Sequence, residues 1–183
     1  MDFQKTLLSR ICHDFASPLS ALIMSLDAFK DSKNEDFFEH ATQSAKRLTA
    51  LLDMYRMMNT GDEISASHWS IVMQDALRFD GIKLSLQTEV QVLSSLNAQL
   101  LSYCVLFLRR FIHKGGVIIV QQTRSTITAI VESEKMMLPD FEINNNPSSS
   151  KMVFDAMLSS IANELNVRLT LQEEQNRYSL LIS

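Results

Sequence analysis

Leu8-Ser9-Arg10-Ile11-Cys12-His13-Asp14-Phe15-Ala16-Ser17-Pro18-Leu19 opens a segment whose apolar residues return every three or four positions. Leu8, Ile11, Phe15, Pro18 or Leu19, Leu22, Leu26 and Phe29 form one stripe, which predicts an amphipathic helix with that stripe buried. At roughly 100° per residue, His13 falls about opposite the centre of the stripe, so its imidazole is expected in water. The neighbouring residues sharpen this. Asp14 could accept from Nδ1 and leave Nε2 as a nucleophile. Pro18 removes one backbone hydrogen bond and is expected to kink the rod. Thr6, Arg10, Ser17, Ser20 and Met24 share the exposed face with His13. Small Ser17 and Ser20 leave room for a partner's backbone. Arg10 could balance phosphoryl charge, and an exposed Met24 suits an adaptable contact. A solvated surface histidine and an idle surface carboxylate are the bland alternatives for His13 and Asp14.

Working outward, Asp31-Ser32-Lys33-Asn34 reads as a turn, and a second helix follows from about Glu35 to Met58. Its stripe is Phe38, Ala41, Ala45, Leu48, Leu51 or Leu52, Tyr55 and Met58. Two long helices joined by a tight turn make an antiparallel hairpin. Two helices alone rarely bury such stripes, so a homodimer forming a four-helix bundle is expected. Asn59-Thr60-Gly61-Asp62-Glu63 breaks the pattern and sets a domain boundary, with residues 1–60 as the hairpin and 61–183 as a second domain.

The second domain mixes helices and strands. Ser67 is expected to cap a helix over about His68 to Phe79. Lys83 to Val92 alternates as a strand, and Leu96 to His113 is apolar enough for a buried helix stopped by Gly115-Gly116. Cys104, Phe107 and Phe111 of this helix are expected in the core. Val117 to Val120 and Thr126 to Glu132 read as strands, residues 138–150 as a loop, and Lys151 to Leu165 as a helix. Val167 to Leu171 and Tyr178 to Ile182 close the chain as a hairpin. The fold class is α+β: a helical hairpin followed by a helix-plus-sheet sandwich.

Composition excludes several classes. The 183 residues are 46% hydrophobic, with 4 Gly, 3 Pro and a net charge of −4. Nucleic-acid binding lacks its usual basic footprint. Cys12 and Cys104 make no disulfide framework. No apolar run approaches the ~18 residues of a membrane span, and Met1 to Lys5 lacks a signal-peptide pattern, so a cytoplasmic location is expected. His40, His68 and His113 show no metal-ligand spacing. Contiguous Cys12-His13-Asp14 cannot form a triad, because neighbouring helical side chains diverge by roughly 100°.

His13-Asp14-Phe15-Ala16-Ser17-Pro18-Leu19 resembles the H-box of sensor histidine kinases, in which His is followed by an acidic residue and, five positions on, by Pro. The hairpin order resembles their dimerisation and phosphotransfer domain. The second half looks like their Bergerat-type ATP-binding domain, with Leu100 to Phe107 and Gly115 to Val120 similar to the kinase N-box helix and the strand after it. The departures are specific. Apolar residues near Phe107 replace the Mg²⁺-binding Asn. Glu132-Ser133-Glu134-Lys135-Met136-Met137 stands where Asp-x-Gly-x-Gly would bind adenine, and no glycine-rich lid follows. Without glycines the backbone cannot easily approach a triphosphate.

An H-box hairpin joined to a degenerate ATP domain resembles the ChpT-like histidine phosphotransferases of alphaproteobacteria, as does Ser9 to Asp14 in particular. This resemblance implies a homodimeric phosphorelay protein. Its partners would be response-regulator receivers and a hybrid-kinase receiver, with no nucleic acid and no membrane. It implies His13 as phosphoacceptor, Asp14 as orienting group, and Arg10, Ser17, Leu19, Ser20 and Met24 as the partner-binding rim. No cofactor or metal of its own is implied; Mg²⁺ would sit on the receiver. A diverged sensor kinase and a non-catalytic dimeric scaffold are the alternatives. ATP binding would mark the first, and indifference to His13 replacement the second.

Overall fold

A computed structural model of the chain describes residues 3–123, 126–136, 153–174 and 177–183. The expected hairpin is present. Helix α1 spans Phe3–Ser32 and α2 spans Glu35–Asn59. Between them Lys33 takes φ 56°, and the Asn34 side chain caps α2 by accepting from the Asp36 backbone N–H at 2.9 Å. Glu35 and Asp36 in the first turn of α2 complement the positive end of its dipole.

The second half is an α/β sandwich. Its elements are β1 (Ile64–Ser65), α3 (Ala66–Leu77), β2 (Ile82–Thr88), β3 (Val92–Leu93), α4 (Ser95–Arg109), β4 (Gly116–Gln122), β5 (Ile127–Glu132), α5 (Val153–Glu164), β6 (Leu169–Glu174) and β7 (Arg177–Ile182). The main sheet has the order β2-β4-β5-β7-β6, with β2 and β4 parallel and the other neighbours antiparallel. Alternation decides the layers. Ile82, Ile118, Val120, Ile127, Ala129, Val131, Tyr178, Leu180 and Ile182 enter the core, whereas Lys83, Gln87, Gln121 and Glu132 are exposed.

The centre of the core is α4, buried from Leu100 to Leu108. Cys104, Phe107 and Phe111 are core residues, as the sequence predicts. Trp69 of α3 is fully buried, and its indole N–H donates to the Ala98 carbonyl at 3.2 Å and to Ser102 Oγ at 2.9 Å. The core does not stop at the boundary drawn at residue 60: Leu51, Met54, Tyr55 and Met58 of α2 belong to the same cluster. Asp80 reinforces the junction, receiving Arg47 of α2 at 3.0 Å and Arg109 of α4 at 2.6 Å.

Several local expectations are corrected. Ser65, not Ser67, caps α3, accepting from the His68 backbone N–H at 3.2 Å. The strand over 83–92 ends at Thr88, whose hydroxyl accepts from the Val90 N–H at 3.0 Å and turns the chain. Helix α4 ends at Arg109, well before the glycines. The N–H groups of Arg110, Phe111 and Ile112 each bond to the carbonyl three residues back, a tightened last turn. That turn swings Phe111 against Tyr178, with ring centroids 4.5 Å apart. Along α1, Leu8, Leu19 and Leu26 are exposed on the single chain, while Ile11, Phe15, Pro18, Leu22 and Phe29 are covered or half-covered. The loop expected over 138–150 lies outside the described residues.

Gly116 serves close packing. A Cβ there would lie 2.8 Å from the Glu132 carbonyl oxygen, a backbone atom that cannot step aside cheaply. Gly116→Ala is expected to destabilise the fold by about 1–3 kcal/mol through overpacking. Urea denaturation checks this against Gly61→Ala. At Gly61 no atom lies within 4 Å of the added Cβ, and only the strain of its +74° φ is at stake.

Candidate functional site

His13 lies about three turns into α1. Its side chain is 74% exposed, as the stripe geometry predicts. Asp14, one position on, turns the other way, and its side chain is only 12% exposed. It sits where α1, α2 and α5 meet. Arg10 Nη2 lies 3.0 Å from Asp14 Oδ1, and Arg10 Nε donates to Oδ2 at 3.2 Å. The Tyr55 hydroxyl of α2 donates to Oδ2 at 2.7 Å. His13 Nδ1 lies 3.5 Å from Oδ1, a charge contact rather than a close hydrogen bond.

Arg10 and Tyr55 are themselves held. The Arg10 guanidinium lies over the Phe154 ring of α5, 5.3 Å from its centroid. Tyr55 is buried, with its ring 6.2 Å from that of Phe15. Burial first, and then the negative charge of Asp14, pushes the Tyr55 phenol well above its ordinary range, while Arg10 and Arg109 pull the other way. The phenol is therefore a neutral donor at physiological pH.

The residues singled out from the sequence divide. Ser17, Ser20 and Met24 are exposed on α1 and share the His13 face, with Met24 72% exposed. Leu19 is also exposed, but helical geometry puts it about 120° around α1 from His13, beside Ile23 and Leu26. Arg10 is half-buried and engaged by Asp14 and Phe154, so it faces inward rather than toward a partner. The Thr6 side chain lies outside what the structure describes. Sequence reading assigned Tyr55 only to the α2 stripe. The signal in the sequence is a phenol in an otherwise apolar stripe that carries no other polar group, since a buried hydroxyl requires a partner. The partner, 41 residues away, shows only in three dimensions.

Elsewhere, a cavity of about 740 Å³ lies at the end of the sheet, lined among others by Lys83, Lys114, Gly116, Glu132 and Arg177. None of the residues around His13 lines it. Among the described residues, no three His, Cys, Asp or Glu side chains converge as metal ligands, and no helix is long and apolar enough to cross a membrane.

Comparison with known proteins agrees with this geometry. Residues 3–63 match the model of the His Kinase A (phospho-acceptor) domain. Over its full length the chain superposes on a bacterial phosphotransferase solved at 1.7 Å, with a TM-score of 0.87 and 18% identity, covering 100% of this chain and 96% of that one. Looser superpositions are with the Acinetobacter baumannii histidine kinase AdeS (TM-score 0.48, 14% identity, 93% and 95% covered) and the catalytic domain of histidine kinase ThkA (0.49, 11%, 66% and 91%). No curated protein matches the chain in sequence. Residues 3–63, which include His13 and Asp14, are similar to the His Kinase A (phospho-acceptor) domain, and the whole chain has the fold seen in a bacterial phosphotransferase.

Proposed function

We propose that this chain is a cytoplasmic histidine phosphotransferase that relays a phosphoryl group between receiver-domain aspartates through His13. The observation that carries the reading is the pairing of an exposed imidazole with a largely covered, pinned carboxylate on a hairpin similar to a phospho-acceptor domain. In the transfer, His13 Nε2 attacks the phosphorus of the receiver's aspartyl phosphate. The P–N bond forms as the P–O bond to the aspartate breaks, and the carboxylate leaves with that electron pair. The imidazole gains positive charge, and Asp14 stands 3.5 Å from Nδ1 to stabilise it. Transfer of this kind needs mainly positioning and charge neutralisation. The receiver supplies Mg²⁺ and its own cation. Acyl phosphate and phosphohistidine are both labile, so the step runs in either direction.

The docking face is the His13 side of α1, with Ser17 and Ser20 admitting a partner backbone and Met24 adapting to it. The region that would hold ATP in a kinase is poorly suited to it. The middle of α4 is buried from Leu100 to Leu108, with Leu106, Phe107 and Leu108 apolar, and β5 runs into Glu132, Ser133 and Glu134 with no glycine. The expectation is therefore no label from ATP and Mg²⁺ alone, but label from a phosphorylated receiver. Incubation with γ-labelled ATP in the absence of any kinase separates the two. Stable label there would make the protein a diverged kinase.

A homodimer accompanies this reading. Cys12, Ala16, Leu19, Ile23 and Leu26 recur at steps of four and three and are all exposed. On α2, Phe38, Ala45 and Leu52 repeat every seven residues and are exposed too. These are seams of coiled-coil type left open on the single chain, and a second hairpin would close them into a four-helix bundle.

A further inference from the structure

We infer that Tyr55 is a positioning residue for His13: with Arg10, it orients the Asp14 carboxylate so that one lone pair is left for His13 Nδ1. The inference rests on the phosphotransfer reading above for its consequence, though its geometry stands alone. A carboxylate offers about four acceptor positions, two on each oxygen. On Asp14, Oδ2 receives Tyr55 at 2.7 Å and Arg10 Nε at 3.2 Å. Oδ1 receives Arg10 Nη2 at 3.0 Å and faces His13 Nδ1 at 3.5 Å. Three positions are filled from inside the protein, and the fourth is left on the oxygen that lies nearest the imidazole.

Arg10 alone does not secure this arrangement. It sits on the same helix as Asp14, four residues away, and a contact within one helix does not tie that carboxylate to the rest of the fold. Two contacts from outside α1 make it rigid. Phe154 of α5 holds the guanidinium plane, and Tyr55 of α2 fixes which oxygen turns inward. The charged groups around the phenol are Asp14 and Arg10 of α1 and Arg109 of α4. Because the phenol stays protonated, it donates and never competes for the Nδ1 proton. A carboxylate held this way favours the tautomer with hydrogen on Nδ1, which leaves the Nε2 lone pair open to phosphorus. The helices packed against α1 thus set the protonation geometry of a side chain that itself lies in water.

Tyr55→Phe removes the hydroxyl and keeps the ring against Phe15. Two readouts apply: the rate of label transfer from a phosphorylated receiver, and the ¹⁵N NMR pattern of the His13 ring in the unphosphorylated protein, which reports its tautomer. The native chain should carry its proton mainly on Nδ1. Tyr55→Phe should lose that bias and slow transfer by about 10-fold or more, the usual worth of a hydrogen bond to a charged group. Tyr55→Met, which also lacks the hydroxyl but fills the space differently, should behave alike and so separates hydroxyl loss from repacking. A native tautomer pattern and rate in both variants would overturn the proposal, as would a changed tautomer with an unchanged rate. A native chain that takes no label from any receiver, yet shows the Tyr55-dependent tautomer, would refute the phosphotransfer reading and uphold the positioning.

Discussion

His13→Ala is expected to abolish phosphoryl acceptance altogether while leaving the fold intact. The side chain is 74% exposed and touches only Asp14 among the contacts described, so its removal opens no cavity. Unfolding midpoints of the variant and the native chain should agree within about 0.5 kcal/mol, the range usual for surface substitutions. Label from a phosphorylated receiver should fall to background, because no neighbour can substitute. His40 lies on the exposed side of α2, and His68 and His113 belong to the second half of the chain. His13→Gln keeps bulk and polarity but has no ring nitrogen to attack phosphorus, so it should fail equally. A scaffold with an incidental histidine would be indifferent to both changes.

The second large effect concerns association. Ile23→Glu combined with Leu26→Glu puts two carboxylates per chain on the open seam of α1. In the single chain both positions are about half exposed, so the hairpin itself should tolerate the change. In a closed bundle each ionised carboxylate would be buried without a partner, at several kcal/mol per ion. Association should weaken by at least about 1,000-fold, since every 1.4 kcal/mol is tenfold. Light scattering at micromolar concentration should read two chains for the native protein and one for the variant. A native protein that reads as one chain would remove the bundle from the account.

The hairpin was legible because two long stripes with three-and-four spacing have few other solutions, and the turn at Lys33-Asn34 carries its own cap. The exposure of His13 followed from the same angle count. The division of the stripe was not legible. Sequence periodicity merges the face that meets α2, around Ile11, Phe15 and Leu22, with the flank of Leu8, Leu19 and Leu26 that stays open. At about 20–80° apart on the helical wheel, such faces blur in one stripe. Leu19 is exposed, but on the flank it shares with Leu8 and Leu26 rather than on the His13 face. Arg10 read as outward because its backbone position is outward; a long side chain folds back when a carboxylate and an aromatic ring await it. The end of α4 was overrun by residues 110–113, where burial of Phe111 outweighs helical continuation. The Tyr55–Asp14 contact spans two helices, and no local pattern announces it.

A single transfer reaction decides whether His13 carries the phosphoryl group. A receiver domain from the same cell, labelled on its aspartate with ³²P and freed of its kinase, is mixed with the native chain and, in parallel, with His13→Ala. The phosphotransfer account expects label to leave the receiver and reach the native chain, stable to base, lost in acid and located by peptide mapping on His13, with none on the variant. Label retained by the receiver in the presence of the native chain, or label on the His13→Ala chain, would contradict it.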